Sequence, residues 1–85
     1  MPNIEIYTRS TCGYCHSAKR LLAGKGVSFT EYDIGREPAR RDEMMQRAPG
    51  RFTVPQVFVD GRHIGDCTEI HALDRAGRLD PLLAP

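Results

Sequence analysis

The chain has 85 residues and a formal net charge of +1, with 12 Lys plus Arg against 11 Asp plus Glu. A chain this short buries about 60% of its unfolded surface, which supports one modest core and excludes mechanisms that need a second domain; a single domain over 1–85 is expected. Hydrophobic residues at 40% and charged ones at 27% are an ordinary globular composition, and the balanced charge gives no basic field for nucleic acid or an anionic membrane.

Met1-Pro2-Asn3-Ile4-Glu5 shows neither a charged leader nor the apolar run of a signal peptide, so a cytoplasmic location is expected. No apolar stretch approaches the roughly 20 residues that span a bilayer. Three cysteines are an odd count that does not suit a secreted disulfide framework; in a reducing compartment they point to chemistry or metal.

Ile4 and Ile6 alternate with Glu5 and Tyr7, a period-2 run that predicts a first strand ending at Thr8-Arg9-Ser10-Thr11. After Cys12 the spacing becomes helical. Cys15, Ala18 and Leu22, with Leu21 beside them, form one face, and His16, Lys19 and Arg20 form the other until Gly24 and Gly26. Val27 to Ile34 alternates β-branched and aromatic residues and predicts a second strand, completing a βαβ unit. Pro38 fits a first helical turn, and Ala39 to Ala48 predicts a second helix up to Pro49-Gly50. Within it, Met44 and Met45 are expected in the core, and Arg40-Arg41 with Asp42-Glu43 on a solvated face. Thr53 to Val59 is an apolar strand, Asp60-Gly61 a type I′ hairpin signal, and Arg62-His63-Ile64 the returning strand. Thr68 or Asp66 can cap a third helix whose stripe is Ile70, Leu73 and Ala76 and which Gly77 ends. Leu79, Leu82 and Leu83 are expected to dock the tail. The order is β-α-β-α-β-β-α, an α/β fold with a mixed sheet.

Cys12-Gly13-Tyr14-Cys15 sits at the strand-to-helix junction of the βαβ unit. First-turn N–H groups lack intrahelical partners and the macrodipole is positive there, so a thiolate at Cys12 is favoured over the thiol. Arg9, and Lys19 one turn into the helix, add positive charge. Cys15 lies deeper and on the apolar face, which makes Cys12 the candidate nucleophile and Cys15 the resolving thiol. A zinc half-site is the competing reading, but Cys67, His16, His63 and His71 provide no second C-x-x-C or H-x3-H pair. Cys15-His16 also completes the C-x-x-C-H haem-attachment pattern, with Met44 or Met45 as possible axial ligands. A chain with no leader and no room for a haem argues against it, and His16 is expected to face solvent.

Thr53-Val54-Pro55 places a residue that cannot donate to a ladder at a strand start and forces its predecessor to be extended. The unpaired backbone there can receive a peptide-like ligand by strand addition, and a cis Val54–Pro55 bond would hold it near the thiol. Gly65-Asp66-Cys67-Thr68-Glu69 opens the last helix, where free N–H groups and the Thr68 hydroxyl can receive a carboxylate.

Together these segments resemble the glutaredoxins, specifically the small bacterial dithiol type, over Ile4 to Leu83. The resemblance rests on Ile6-Tyr7-Thr8 before Cys12-Gly13-Tyr14-Cys15, Thr53-Val54-Pro55-Gln56, Ile64-Gly65, and Ala72-Leu73-Asp74 leading to Leu79-Asp80-Pro81-Leu82-Leu83. It implies a thioredoxin-like fold, a four-stranded mixed sheet flanked by three helices, in a protein that is monomeric without ligand. It also implies a glutathione-dependent thiol-disulfide oxidoreductase, with glutathione as cosubstrate and glutathione reductase and NADPH behind it. Cys12 would take the glutathionyl group from a glutathionylated protein, and Cys15 would serve protein disulfides. Carried over residue by residue, Thr53, Val54 and Pro55 would meet the cysteinyl backbone of glutathione, Cys67 and Thr68 its γ-glutamyl carboxylate, Arg9 its glycyl carboxylate, and Tyr14 would flank the sulfur. Two positions depart from the family pattern. Gly13 replaces the usual Pro, as in members that bridge a [2Fe-2S] cluster between two subunits through the first cysteine and glutathione, so cluster delivery through Cys12 is the alternative. Asp66 replaces a second Gly, where a carboxylate would repel the γ-glutamyl carboxylate or bond its ammonium, and would restrain the turn.

Overall fold

The computed structural model describes residues 2–85. Its elements in chain order are β1 (Ile4–Thr8), α1 (Gly13–Gly24), β2 (Thr30–Asp33), α2 (Ala39–Arg47), β3 (Gln56–Val59), β4 (Arg62–Gly65), α3 (Cys67–Arg75) and α4 (Leu79–Leu83). The sheet order is β2-β1-β3-β4, parallel only between β1 and β2. The parallel pair is the one joined through a helix, and the antiparallel β3–β4 pair is the one joined by two residues. Asp60 and Gly61 both take positive φ (51° and 80°), as a type I′ turn requires.

The alternation in β1 sorts its side chains onto two covered faces. Ile4 and Ile6 join Ala18 and Leu22 of α1, Val57 and Val59 of β3, and Ile70, Leu79 and Leu83 from the C-terminal helices. Tyr7 lies on the opposite face with Ile34, Met44, Ala48 and Phe58. Glu5 shares that face and is only 8% exposed. A carboxylate so placed needs charged and hydrogen-bonding partners. Arg47 of α2 grips both its oxygens at 2.8 and 3.0 Å, and the Tyr32 hydroxyl donates at 2.8 Å. Arg47 also donates to the Tyr7 hydroxyl and lies 4.2 Å from the centre of the Phe58 ring. The charge is thereby built into the sheet–helix contact.

Three elements differ from the sequence expectation. The second strand begins at Thr30 rather than Val27, because the register Glu5↔Thr30 carries Val27 and Ser28 past the start of β1 at Ile4; Val27 and Phe29 still pack on the core. The third strand begins at Gln56, leaving Thr53-Val54-Pro55 outside the ladder. The tail is a fourth helix rather than a docked segment: Pro81 falls in the first turn of α4, where its missing N–H costs nothing, and Leu79 and Leu83 are buried. Among the described residues no helix is long and apolar enough to cross a membrane.

The ionic contacts of Glu5 and Glu69 fix the sign of the pH dependence. The hydrogen bonds from Arg47 hold Glu5 below its ordinary value of 4.5, and those from Arg51 hold Glu69 at about 2. Such groups stabilise the fold above pH 4.5, and that contribution is lost as the pH falls through their folded values. His63 is depressed below 6.5 by burial, so its unfolded form takes the proton first and acid again favours unfolding. The urea midpoint is therefore expected to fall gently below pH 6.5 and steeply below pH 4.5. A midpoint flat across both ranges would contradict these assignments.

Candidate active site

The C-x-x-C spacing is also the spacing between a helix N-cap and the third helical residue. Cys12 is the N-cap of α1, in extended backbone (φ −99°, ψ 113°), and its sulfur accepts the Cys15 N–H at 3.2 Å. A sulfur thus occupies the place where Ser or Asp oxygens serve. The turn beneath it is closed by Cys12 N–H to the Arg9 carbonyl at 3.1 Å and His16 N–H to the Cys12 carbonyl at 3.2 Å. The His16 ring faces solvent and meets the Ser10 carbonyl at 3.0 Å through Nε2, tying α1 to the same loop.

The two thiols differ sharply. Cys12 is partly exposed, and its Sγ lies 3.7 Å from the Val54 carbonyl, where a thiol donates. Cys15 is wholly buried; desolvation first, and then its contact with Cys12, push its thiol up to about 12. Cys15 therefore stays protonated beside a sulfur that reaches solvent. Lys19 pairs with Glu31 at 2.9 Å, and its charge also acts at the dithiol, where it lowers the Cys15 thiol against the larger effects that raise it.

Val54–Pro55 is cis, an isomer that the residues alone left open. Gln56, fully buried, fixes this segment from below: its amide Nε2 donates to the Thr53 carbonyl at 3.0 Å. Its Oε1 meets His63 Nε2 at 2.6 Å, which assigns the proton at that nitrogen to His63. Sequence reasoning missed this support, although a Gln inside an apolar strand was the available signal.

Thr53 and Val54 divide two clefts. One, of about 440 Å³, is lined by Tyr14, Thr53, Val54, Pro55, Asp66, Cys67 and Thr68. It gathers six of the seven residues expected at glutathione. The seventh, Arg9, lies in the other cleft, of about 390 Å³, with Thr11, Cys12, Ile34, Arg41, Phe52, Thr53 and Val54. Both volumes are in the range of small-molecule sites. Arg41 is exposed on its helix face, as expected, and also lines the cleft that holds Cys12. Among the described residues neither Arg9 nor Arg41 forms an ion pair, so this cleft carries two uncompensated positive charges. Arg40, by contrast, pairs with Glu37 and Glu43 and lies over the Tyr32 ring. Tyr14 and Phe52, 70% and 61% exposed, stand at the mouths of the two clefts as the large exposed apolar side chains.

At the start of α3 the cap is Asp66, not Thr68. Asp66 accepts the Glu69 N–H at 2.9 Å and Glu69 accepts the Asp66 N–H at 3.0 Å, a reciprocal capping box. Asp66 takes ordinary extended backbone (φ −92°, ψ −171°), so no glycine is needed there. Gly65 has φ +135°, and a Cβ on it would meet the Glu69 Cβ at 2.6 Å, so that position does require glycine. By position in the first turn, the N–H groups of Cys67 and Thr68 have no intrahelical acceptor. Cys67 itself is buried, with its sulfur 3.5 Å from His71 Nδ1.

A parallel βαβ unit joined to an antiparallel hairpin, with two thiols at the first helix start and a cis-Pro segment against them, is the thioredoxin-like fold. The Glutaredoxin family model matches residues 4–64. The chain is 58% identical over 83 residues to Glutaredoxin 3 of Escherichia coli K12, covering 98% of this chain and 99% of that one. Its fold is similar to that of a dithiolic glutaredoxin of Trypanosoma brucei brucei (TM-score 0.87, 32% identity, 98% of this chain and 88% of that one). A buckwheat glutaredoxin–glutathione complex gives a TM-score of 0.87 at 30% identity, over 96% of this chain and 76% of that one. The chain belongs to the glutaredoxin family, and membership implies thiol oxidoreductase activity.

Proposed function

We propose that the protein is a glutathione-dependent thiol-disulfide oxidoreductase that reduces glutathionylated proteins and, through both cysteines, protein disulfides. The observation that carries this reading is the pairing of an accessible Cys12 sulfur, capped by the Cys15 N–H, with a cleft whose walls are an unpaired extended segment and a helix start. Thr53 and Val54 offer backbone to the cysteinyl unit, with Pro55 keeping that segment out of the ladder. The Cys67 and Thr68 N–H groups offer a seat to the γ-glutamyl carboxylate. Arg9, with Arg41 across the neighbouring cleft, suits the glycyl carboxylate, so the tripeptide would lie across the Thr53-Val54 divide. The buckwheat relative, solved with glutathione, supports the ligand class.

In the first step the Cys12 thiolate attacks the glutathionyl sulfur of the mixed disulfide, forming Cys12–S–SG and releasing the protein thiolate, which takes a proton from water. A second glutathione thiolate then attacks the glutathionyl sulfur on Cys12, giving glutathione disulfide and regenerating the Cys12 thiolate. The net change is one mixed disulfide and one free glutathione becoming one protein thiol and one glutathione disulfide, with a disulfide broken for each one formed. For protein disulfides, the Cys12 thiolate first attacks one substrate sulfur and releases the other as a thiolate that takes a proton from water; the Cys15 sulfur then attacks Cys12, its proton passing to the departing substrate thiolate, and two glutathione molecules reduce the Cys12–Cys15 disulfide and leave as glutathione disulfide. Cytoplasmic glutathione pools, regenerated by glutathione reductase and NADPH, have a poise that suits such exchange.

The assignment of Cys15 separates the two routes. Cys15→Ser is expected to keep turnover of a glutathionylated substrate within about threefold and to lose reduction of protein disulfides by more than about a hundredfold. A coupled assay with glutathione reductase and NADPH measures both; equal loss on both substrates would contradict the division of labour.

A second reading, delivery of a [2Fe-2S] cluster as cargo between two copies of the chain, has one observation in its favour. A Cβ built at Gly13 meets nothing within 4 Å, so the space beside Cys12 that a proline ring would occupy is open. Cys12 would hold the cluster with glutathione, because Cys15 is wholly buried. Anaerobic reconstitution giving a brown dimer supports this reading, and a colourless monomer contradicts it.

A further inference from the structure

We infer that Arg51 is a positioning residue that latches together the two walls of the ligand cleft and so sets its width; the inference rests on the glutathione reading of that cleft. One wall is Thr53-Val54-Pro55 and the other is the first turn of α3. The β3–β4 ladder ends at Val57↔Gly65, and among the described residues no backbone hydrogen bond joins the walls beyond it.

Arg51 spans that interval. Two residues ahead of the Thr53 wall, its guanidinium donates to both oxygens of Glu69, at 2.6 and 2.8 Å, and lies 3.6 Å from the second carboxylate oxygen of Asp66. Its own backbone N–H bonds the Ala48 carbonyl at 3.0 Å, which anchors the latch to the end of α2. On the far side the two acceptors belong to the capping box, so the fork grips the helix start through a pair of side chains already locked to the backbone. The same contacts explain Asp66, which stands where the family usually has glycine. One of its oxygens caps α3 and the other faces Arg51, so its charge is committed to the latch and is not a bare anion in the cleft.

The latch acts on binding rather than on the reacting sulfur, which it does not touch. Arg51→Gln is expected to raise KM for the mixed disulfide of glutathione and 2-mercaptoethanol about fivefold, as loss of a bidentate pair worth about 1 kcal/mol gives, with kcat within about twofold. Arg51→Lys, which holds one oxygen but not both, is expected to recover part of this, and Glu69→Gln to reproduce the loss without adding to it in the double variant. In the ligand-free protein, amide exchange at Asp66 and Glu69, whose N–H groups are held in the capping box that Arg51 grips, is expected to be several-fold faster in Arg51→Gln than in wild type. Active wild type with an unchanged KM in Arg51→Gln overturns the proposal, as does unchanged exchange. Wild type that fails to turn over removes the glutathione reading, and the exchange rates then decide by themselves whether Arg51 holds the walls.

Discussion

Cys12→Ser is expected to abolish turnover of glutathionylated substrates, by about a thousandfold or more, while leaving the fold at least as stable. The two halves of this expectation come from the two roles of one atom. As N-cap, the Cys12 sulfur accepts the Cys15 N–H at 3.2 Å, and a serine oxygen at the same place is a stronger acceptor and a preferred cap residue. As nucleophile, a cysteine sulfur attacks a disulfide and bonds to its sulfur, which a serine hydroxyl does not do. Thermal melting should show Tm equal to or above wild type alongside a dead enzyme. A variant that is inactive because it has unfolded would contradict the capping role, and one that retains turnover would contradict the nucleophile assignment.

Arg47→Ala is expected to destabilise the protein by about 2–3 kcal/mol, the cost of stranding a buried carboxylate at the middle of the sheet. Glu5 is 8% exposed and depends on Arg47 for both its oxygens, and the Tyr7 hydroxyl loses a partner at the same time. The Phe58 ring also loses the guanidinium stacked 4.2 Å from its centre. For a domain of this size the change is a fall in Tm of roughly 10–20 °C. Glu5→Gln in the Arg47→Ala background should recover part of it, because an amide leaves no unpaired charge. A single-variant shift below about 3 °C would mean that water, not Arg47, solvates Glu5.

Much of the fold was legible because its signals are local. The Asp60-Gly61 pair specified the hairpin through the positive φ both residues adopt, and the Cys15, Ala18, Leu22 stripe specified the buried face of α1. The limits of the strands were not legible, because Val27 reads as strand by composition and is excluded only by where β1 begins. Glu5 illustrates the same gap: in a period-2 run it reads as the solvent side, and only the placement of Arg47, 42 residues away, shows that both faces are covered. At the site, the thiols and the Thr53-Val54-Pro55 segment were legible from residue type and order. Arg41, Arg51 and Gln56 were not, since each gains its meaning from a partner distant in sequence or from a cleft that exists only in the folded chain. The cap of α3 was ambiguous between Asp66 and Thr68 until Glu69, three residues after Asp66, was seen to close the box.

The most direct test of the central claim is to trap the covalent step. Cys15→Ser protein incubated with glutathione disulfide, then quenched with acid and digested, should carry one glutathionyl group, located by mass spectrometry on the peptide containing Cys12. Cys67 in the same sample should remain a free thiol. A glutathionyl group on Cys67, or none on any cysteine, would contradict the account.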